Sequence, residues 1–400
     1  MEFVQLTKEE FNAFSEAHPL GNFHQSSNWG VVKSSNGWGY DFVGVKENGT
    51  ILAACLLLHK TAVRVFKFYY SPRGFLIDFY DDALLEFFTR GIVDFVKKNN
   101  GIFLKVDPYV DEKELDLDGN VVEGGYDNSS IKNRMKKLGY TYLTRKDGSA
   151  KTTMIHTIFV LPFEGRSIEE IESLYHKHVK NSIKTGLKNA IEIEELTYDQ
   201  LPRFKAILEK TSVRRGFVDR SLAYYQTMYN AFAKEGKMVY RMAVMAVDKY
   251  KESIQQRLDK AQATYDIVYA QKMEKPEVTK FDGQLKEATV NLDKSRQLMG
   301  DVENLIANYG HRIDLSCACY FLWGNEILNL YGGNEEELLD FGGQYVLHAD
   351  MIRKAVSEGY SRYNFYGIGD NLNKEDPMYG VYEIKRGFHG KVVRLLGEFD

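Results

Sequence analysis

Near the middle of the chain the apolar positions fall at Ile254, Leu258, Ala261, Tyr265 and Val268. After Lys275-Pro276-Glu277 they resume at Phe281, Leu285, Ala288, Leu292, Met299, Val302 and Ile306. Alternating steps of four and three are the spacing of a coiled-coil seam. A proline cannot continue the first helix, and the few residues around it are enough to reverse the chain. The pattern therefore predicts an antiparallel helical hairpin, an arm spanning 248–308.

On either side of the arm the pattern changes to short apolar runs separated by amphipathic helices, and it occurs twice. The first half reads as strands over Phe42–Lys46, Ile51–His59 and Val65–Tyr70, then the loop Ser71-Pro72-Arg73-Gly74. An amphipathic helix carrying Leu84, Leu85, Phe88, Ile92, Phe95 and Val96 follows, and then a strand over Ile102–Asp107. The second half reads in the same order. Its strands cover Val239–Val247, Leu315–Trp323 and Ile327–Tyr331, the glycine pair Gly332-Gly333 precedes a helix with Val346, Met351 and Ile352, and the last strand is Tyr363–Tyr366. Two copies of one α/β unit, the arm inserted into the second, account for this order. The expected domains are 1–150, then 151–247 with 309–400, then the arm. A ligand is expected in the cleft between the copies.

At 400 residues and 44% hydrophobic content, the chain can bury a core in each half. No stretch approaches the roughly 18 consecutive apolar residues of a membrane span, and Met1-Glu2-Phe3-Val4-Gln5 lacks the start of a secretion signal. A cytoplasmic protein is expected. Cys55, Cys317 and Cys319 are too few for a disulfide framework or a zinc site, and they read as buried thiols. A net charge of −4 argues against indiscriminate coating of nucleic acid, so contact with a polyanion requires a local patch. One candidate lies on the helical pattern Ile168–Lys188, where Lys177, Lys180, Lys184 and Lys188 share a face beside His176 and His178. Its alternatives are a solvated surface and a stripe that contacts phosphates.

Several segments, spread over the chain and in order, carry a resemblance: Phe23-His24-Gln25-Ser26 with Trp29 and Lys33; Tyr69-Tyr70-Ser71-Pro72-Arg73-Gly74 with Asp78; Val106-Asp107-Pro108-Tyr109; Thr211-Ser212 with Gly216-Phe217 and Arg220; Tyr363-Asn364-Phe365-Tyr366-Gly367; and Tyr379-Gly380 leading to Ile384-Lys385-Arg386-Gly387-Phe388. Together they resemble the FemABX family of peptidoglycan bridge-forming aminoacyltransferases, in particular members with a coiled-coil arm. Phe75, where relatives often have proline, and lysine and histidine where many relatives use arginine in the linking helix are departures. The resemblance implies an α/β fold of two tandem GCN5-acetyltransferase-like subdomains. It also implies transfer of glycine, alanine or serine from aminoacyl-tRNA to the stem-peptide amine or growing bridge of a peptidoglycan precursor, either lipid II or its UDP-linked form. No cofactor or metal is implied. Contact with the membrane surface, a homodimer or association with related family members would be compatible.

The family segment near the C-terminus makes Lys385 the candidate for stabilising the oxyanion. Asp107, at the end of a strand where open α/β sheets present functional groups, is the second catalytic candidate, for orienting the amine or binding the acceptor. By resemblance Lys33 and one of Arg214 and Arg215 would bind the acceptor, and Tyr320 and Tyr331 complete the candidate substrate contacts. Lys177, Lys180, Lys184 and Lys188 are the tRNA candidates. Arg73 and Asp78 are expected to form a structural ion pair. His24, His59 and His348 read as packing residues, with no serine or cysteine placed for a triad. The competing readings are an acyl-CoA-dependent N-acyltransferase, for which neither glycine loop is suited to a diphosphate, and a non-catalytic coiled-coil adaptor.

Overall fold

A computed structural model describes residues 1–145 and 149–400. The first half opens with β1 (Glu2–Gln5), α1 (Lys8–Ala17) and α2 (Ser27–Ser34), followed by β2 (Gly39–Glu47), β3 (Thr50–Val63), β4 (Phe66–Arg73), α3 (Asp82–Lys98), β5 (Gly101–Pro108) and α4 (Ser130–Lys137). The second contains β6 (Thr157–Pro162), α5 (Ile168–Leu174), α6 (Lys177–Lys188), β7 (Ile191–Glu195), α7 (Leu201–Arg215), α8 (Leu222–Phe232) and β8 (Met238–Ala246). Next come the arm helices α9 (Val247–Glu274) and α10 (Lys280–Tyr309), then β9 (Arg312–Trp323), β10 (Glu326–Asn334), α11 (Gly343–Ser357), β11 (Arg362–Gly367), α12 (Tyr379–Arg386) and β12 (Lys391–Arg394).

The repeat seen in the pattern is present in the topology. In the five-stranded sheet β1, β2, β3 and β4 pair antiparallel in sequence, and β5 returns parallel to β4 through α3. In the seven-stranded sheet β7, β8, β9 and β10 do the same, and β11 returns parallel to β10 through α11. The second sheet is then extended by β6 and β12, which pair antiparallel on the far side of β11. Neither of these, nor β1, β7, α1, α2, α7 or α8, was marked by the coarse hydrophobic pattern, because most are short. The apolar face of α3, with Leu84, Leu85, Phe88, Ile92 and Val96 buried, covers the first sheet. Val346, Leu347, Met351, Ile352 and Ala355 of α11 cover the second. Cys55, Cys317 and Cys319 are buried free thiols.

The arm is antiparallel: Lys272 pairs with Asp282 near its tip, Arg296 donates to Gln262 midway, and Lys251 pairs with Glu303 near its base. Ile254, Ala288, Leu292 and Val302 are its buried seam positions. It leaves the sheet where Ala246 of β8 faces Arg312 of β9, just past a shift in register between Ala243 and Val244. Helix starts at Val247, earlier than the heptad pattern, because Val247, Tyr250 and Ile254 join the core of the second half.

The pattern over Ile168–Lys188 predicts one helix where there are two. The His176 backbone N–H leaves the helical ladder to donate to Gly387 O at 2.9 Å, which breaks the helix while leaving the two apolar faces aligned. The last residues cross from the second sheet to the first, where Val106 and Phe399 exchange backbone hydrogen bonds of 2.9 and 2.8 Å. Among the described residues no helix is long and apolar enough to cross a membrane.

Candidate active site

The C-terminal ends of β4 and β5 place Arg73 and Asp107 side by side. Asp107 Oδ1 accepts from the Arg73 backbone N–H at 2.9 Å, and the guanidinium lies 3.3 Å from Oδ2, both side chains being almost fully buried. The expected Arg73–Asp78 pair is not formed: Arg73 pairs with Asp107, while Asp78 accepts from the backbone of Tyr80 at 2.8 Å. Sequence proximity favoured Asp78, but parallel pairing of β4 with β5 puts Pro72 opposite Asp107 and brings the more distant carboxylate closer. Burial pushes the Asp107 carboxyl up to about 6, against the pull of the Arg73 guanidinium.

Two residues here adopt left-handed backbone, Arg73 at φ 55° and Tyr366 at φ 62°. Such conformations are uncommon for bulky side chains and concentrate at functional sites. In β11 the register shifts between Asn364 and Tyr366, and Asn364 Oδ1 holds the Tyr366 N–H at 2.7 Å. The resulting bulge turns the Tyr366 hydroxyl to Arg73. The next carbonyl, Gly367 O, accepts from Lys385 Nζ at 2.5 Å.

Lys385 lies in the last turn of α12. That helix is held against α6 by the Gly387 contact with His176, where a Cβ would fall 2.5 Å from Val179 Cγ2 and 2.7 Å from His178 Nε2, so only glycine allows the approach. Phe388 is buried against Tyr345 and His348. Among the described residues no carboxylate lies within ion-pair distance of the Lys385 ammonium, and burial lowers its pKa to about 7. His348, hydrogen-bonded with the Tyr363 hydroxyl at 2.7 Å, is held neutral by burial, with a pKa of about 3. The two catalytic candidates, 278 positions apart in sequence, thus meet at consecutive residues of β11, Asp107 through Arg73 and Tyr366, Lys385 through Gly367.

A second basic site lies between α2, α8 and β10. Lys33 Nζ sits 4.6 Å from the Trp29 ring centroid, and burial, then the nearby Arg220 guanidinium, lowers its pKa to about 8. Arg220 lies over Tyr224 at 5.5 Å and hydrogen-bonds Tyr331. Lys33 and Tyr331 are therefore gathered around Arg220. Arg214 instead pairs with Glu336 at 3.4 Å, and Arg215 extends into solvent. Tyr320 has no exposed surface; it packs beside Tyr363, with ring centroids 6.2 Å apart, and serves the core instead of offering a face to a substrate. Lys177, Lys180, Lys184 and Lys188 are all exposed on α6, opposite buried Val179, Ile183 and Gly186, and Lys180 caps Ser173 O. His24 is buried 2.7 Å from Asn22 Oδ1, its pKa pushed well down by burial.

Sequence reasoning missed three parts of this region. Glu398 accepts from the backbone N–H groups of Thr153 and Met154 and from Lys105 Nζ, closing a small pocket beside Arg73, Asp107 and His156. Arg220 belongs to one of the segments that carry the resemblance, but the sequence pattern gives it no role. Buried Glu326 gathers Tyr109 Oη (2.9 Å), Asn22 Nδ2 (3.2 Å), Asn364 Nδ2 (3.2 Å) and Arg362 Nε (2.9 Å), joining the two halves below the site. A strand-embedded acid such as Glu326 is itself a signal, since carboxylates are rarely buried without partners. Among the described residues no group of three or more His, Cys, Asp or Glu side chains is placed to hold a metal ion.

The model of the FemAB family matches residues 6–400. This chain belongs to the FemAB family. The aminoacyltransferase FemA of Staphylococcus epidermidis is 27% identical over 401 residues, covering 100% of this chain and 95% of the relative. FemA of Staphylococcus aureus strain bovine RF122 / ET3-1 is 26% identical over 400 residues, covering 100% and 94%. The crystal structure of FemX superposes with a TM-score of 0.81 at 23% identity, covering 100% of this chain and 97% of that one, so the FemAB fold extends over the whole molecule.

Proposed function

We propose that this FemAB-family aminoacyltransferase takes its amino acid from aminoacyl-tRNA and joins it to a free amine on the stem peptide or growing bridge of a peptidoglycan precursor, with Lys385 and Asp107 as its catalytic groups. Transfer of an aminoacyl group to a peptidoglycan precursor follows from family membership. The donor and the residue roles are the proposal.

The amine nitrogen attacks the ester carbonyl, the N–C bond forms, and the carbonyl oxygen becomes an oxyanion. Collapse breaks the C–O bond to the ribose, and the proton lost by nitrogen is balanced by the one gained by the leaving oxygen. Holding amine and ester in one cleft supplies about 7–11 kcal/mol of the barrier. The oxyanion requires a positive group with no competing partner. Lys385 fits, and this observation carries the reading: its ammonium is tethered by one neutral carbonyl and no carboxylate, beside the Arg73–Asp107 pair. Asp107, with its carboxyl raised to about 6, is ionised at neutral pH and suited to orient the amine or accept its proton. Lys33, with Arg220 and Tyr331, is suited to a phosphate or sugar of the acceptor. Arg214 and Arg215, in the last turn of α7, are secondary candidates, and the α6 lysines are candidate tRNA contacts.

Incubation with lipid II or its UDP-linked form and a set of charged tRNAs, followed by mass measurement, tests the reading. One amino-acid mass added per turnover is expected, and Lys385→Ala is expected to lower kcat by about 10²–10³. No product from any charged tRNA, or full activity in Lys385→Ala, would sink it.

A further inference from the structure

The β3–β4 turn and the start of β5 form a surface that the mechanism does not use. Val63, Val65 and Ile102 are 61%, 63% and 61% exposed, in contrast to the nearly buried aliphatic residues elsewhere in these strands, and Phe66 and Phe103 add exposed rings. Pairing brings them together: Val63 faces Phe66 across the hairpin, and Lys67 of β4 faces Gly101 of β5. Around them stand Lys60, Arg64, Lys67, Lys97 and Lys98. The segments 60–73 and 95–106 contain no Asp or Glu, although the whole chain carries a net charge of −4. No ion pair involves any of these five cations among the described residues, and Lys60 is engaged only by Asn36 O at 3.4 Å and the Trp38 ring at 5.9 Å.

We infer that this apolar tip with its basic collar is a docking face for a bilayer surface containing anionic lipid. Aliphatic side chains at a protruding turn gain from entering the interfacial region, while lysine and arginine around them meet acidic headgroups. RNA would use the basic collar but gain little from exposed valine and isoleucine, whose burial favours the bilayer. The face lies near Lys33: Asn36, next to Lys60, is hydrogen-bonded to Lys33 O at 2.9 Å, and Trp38 packs edge-on to Phe68 at 5.0 Å. From Lys67, β4 runs to Arg73 over about 20 Å at roughly 3.3 Å per residue. A sugar and a few peptide residues span such a gap from a headgroup. The inference deepens the reading above by committing to the lipid-linked acceptor.

The test is co-sedimentation of the full chain with vesicles of phosphatidylcholine alone or mixed with phosphatidylglycerol. Binding to the mixed vesicles only, weakening as salt rises, is expected. It should fall about tenfold or more in Arg64→Glu with Lys67→Glu, and in Val65→Ser with Phe66→Ser, with transfer to the soluble UDP-linked acceptor unchanged in both. Lack of binding to the mixed vesicles, binding by both variants as tight as that of the unaltered chain, or loss of tRNA binding with vesicle binding retained would each overturn it. Vesicle binding needs neither donor nor acceptor, so failure here is separate from failure of the aminoacyl-tRNA reading.

Discussion

Lys385 ties activity and stability to pH in opposite directions. With a pKa of about 7 its ammonium is lost as pH rises through neutrality, whereas arginine stays charged. The ratio of wild-type to Lys385→Arg turnover is therefore expected to fall by about tenfold per pH unit above 7, a comparison in which titration of the substrate amine cancels. A flat ratio would remove the cationic role. The folded-state pKa lies below the free value, so the unfolded chain binds more protons between about 7 and 10.5, and this group's contribution to stability rises with pH across that window. Lys385→Met is accordingly expected to stabilise the fold at pH 6, by on the order of 2 kcal/mol after allowance for its partial exposure, and far less at pH 9. Thermal unfolding at the two pH values checks this. Lys385 could be singled out from its segment alone, but its isolation from carboxylates could not, because it depends on what α6 and β11 place around the end of α12.

Among the elements, the arm was the most legible, since its seam positions follow directly from side-chain period. Its base was not: Val247, Tyr250 and Val302 serve the second half's core, a tertiary role that the heptad spacing does not distinguish from a seam role. This difference predicts two outcomes. Replacing 258–298 with a short linker is expected to leave Tm within a few degrees, whereas replacing 250–306 also removes core contacts and lowers Tm clearly, by the roughly 2–4 °C per kcal/mol of a large domain. Circular dichroism melts of both shortened proteins decide it. On α6 the four lysines are opposite the buried face, so Lys177→Glu with Lys184→Glu should leave the melt unchanged while weakening tRNA binding and reducing its salt dependence. Unchanged tRNA affinity would return the stripe to a solvated surface.

At the scale of the molecule, the duplicated order of antiparallel strands followed by a parallel return was legible because each half repeats the same hydrophobic sequence. What joins the halves was not, because it rests on pairings across hundreds of residues: Glu326 with Tyr109 and Asn22, and Arg73 with Asp107 instead of its neighbour Asp78. Glu326→Ala would leave the Arg362 guanidinium without its carboxylate in the seam. It is expected to cost about 3 kcal/mol or more, whereas Glu326→Gln should cost less. Denaturant titration of both variants measures the difference.

The crossing of residues 395–400 onto the first sheet has a mechanical consequence. Phe399 bridges to Val106, the residue before Asp107, and Glu398 lines the pocket beside that carboxylate, so peeling this strip away would slacken the candidate site while every pairing within the two sheets stayed in place.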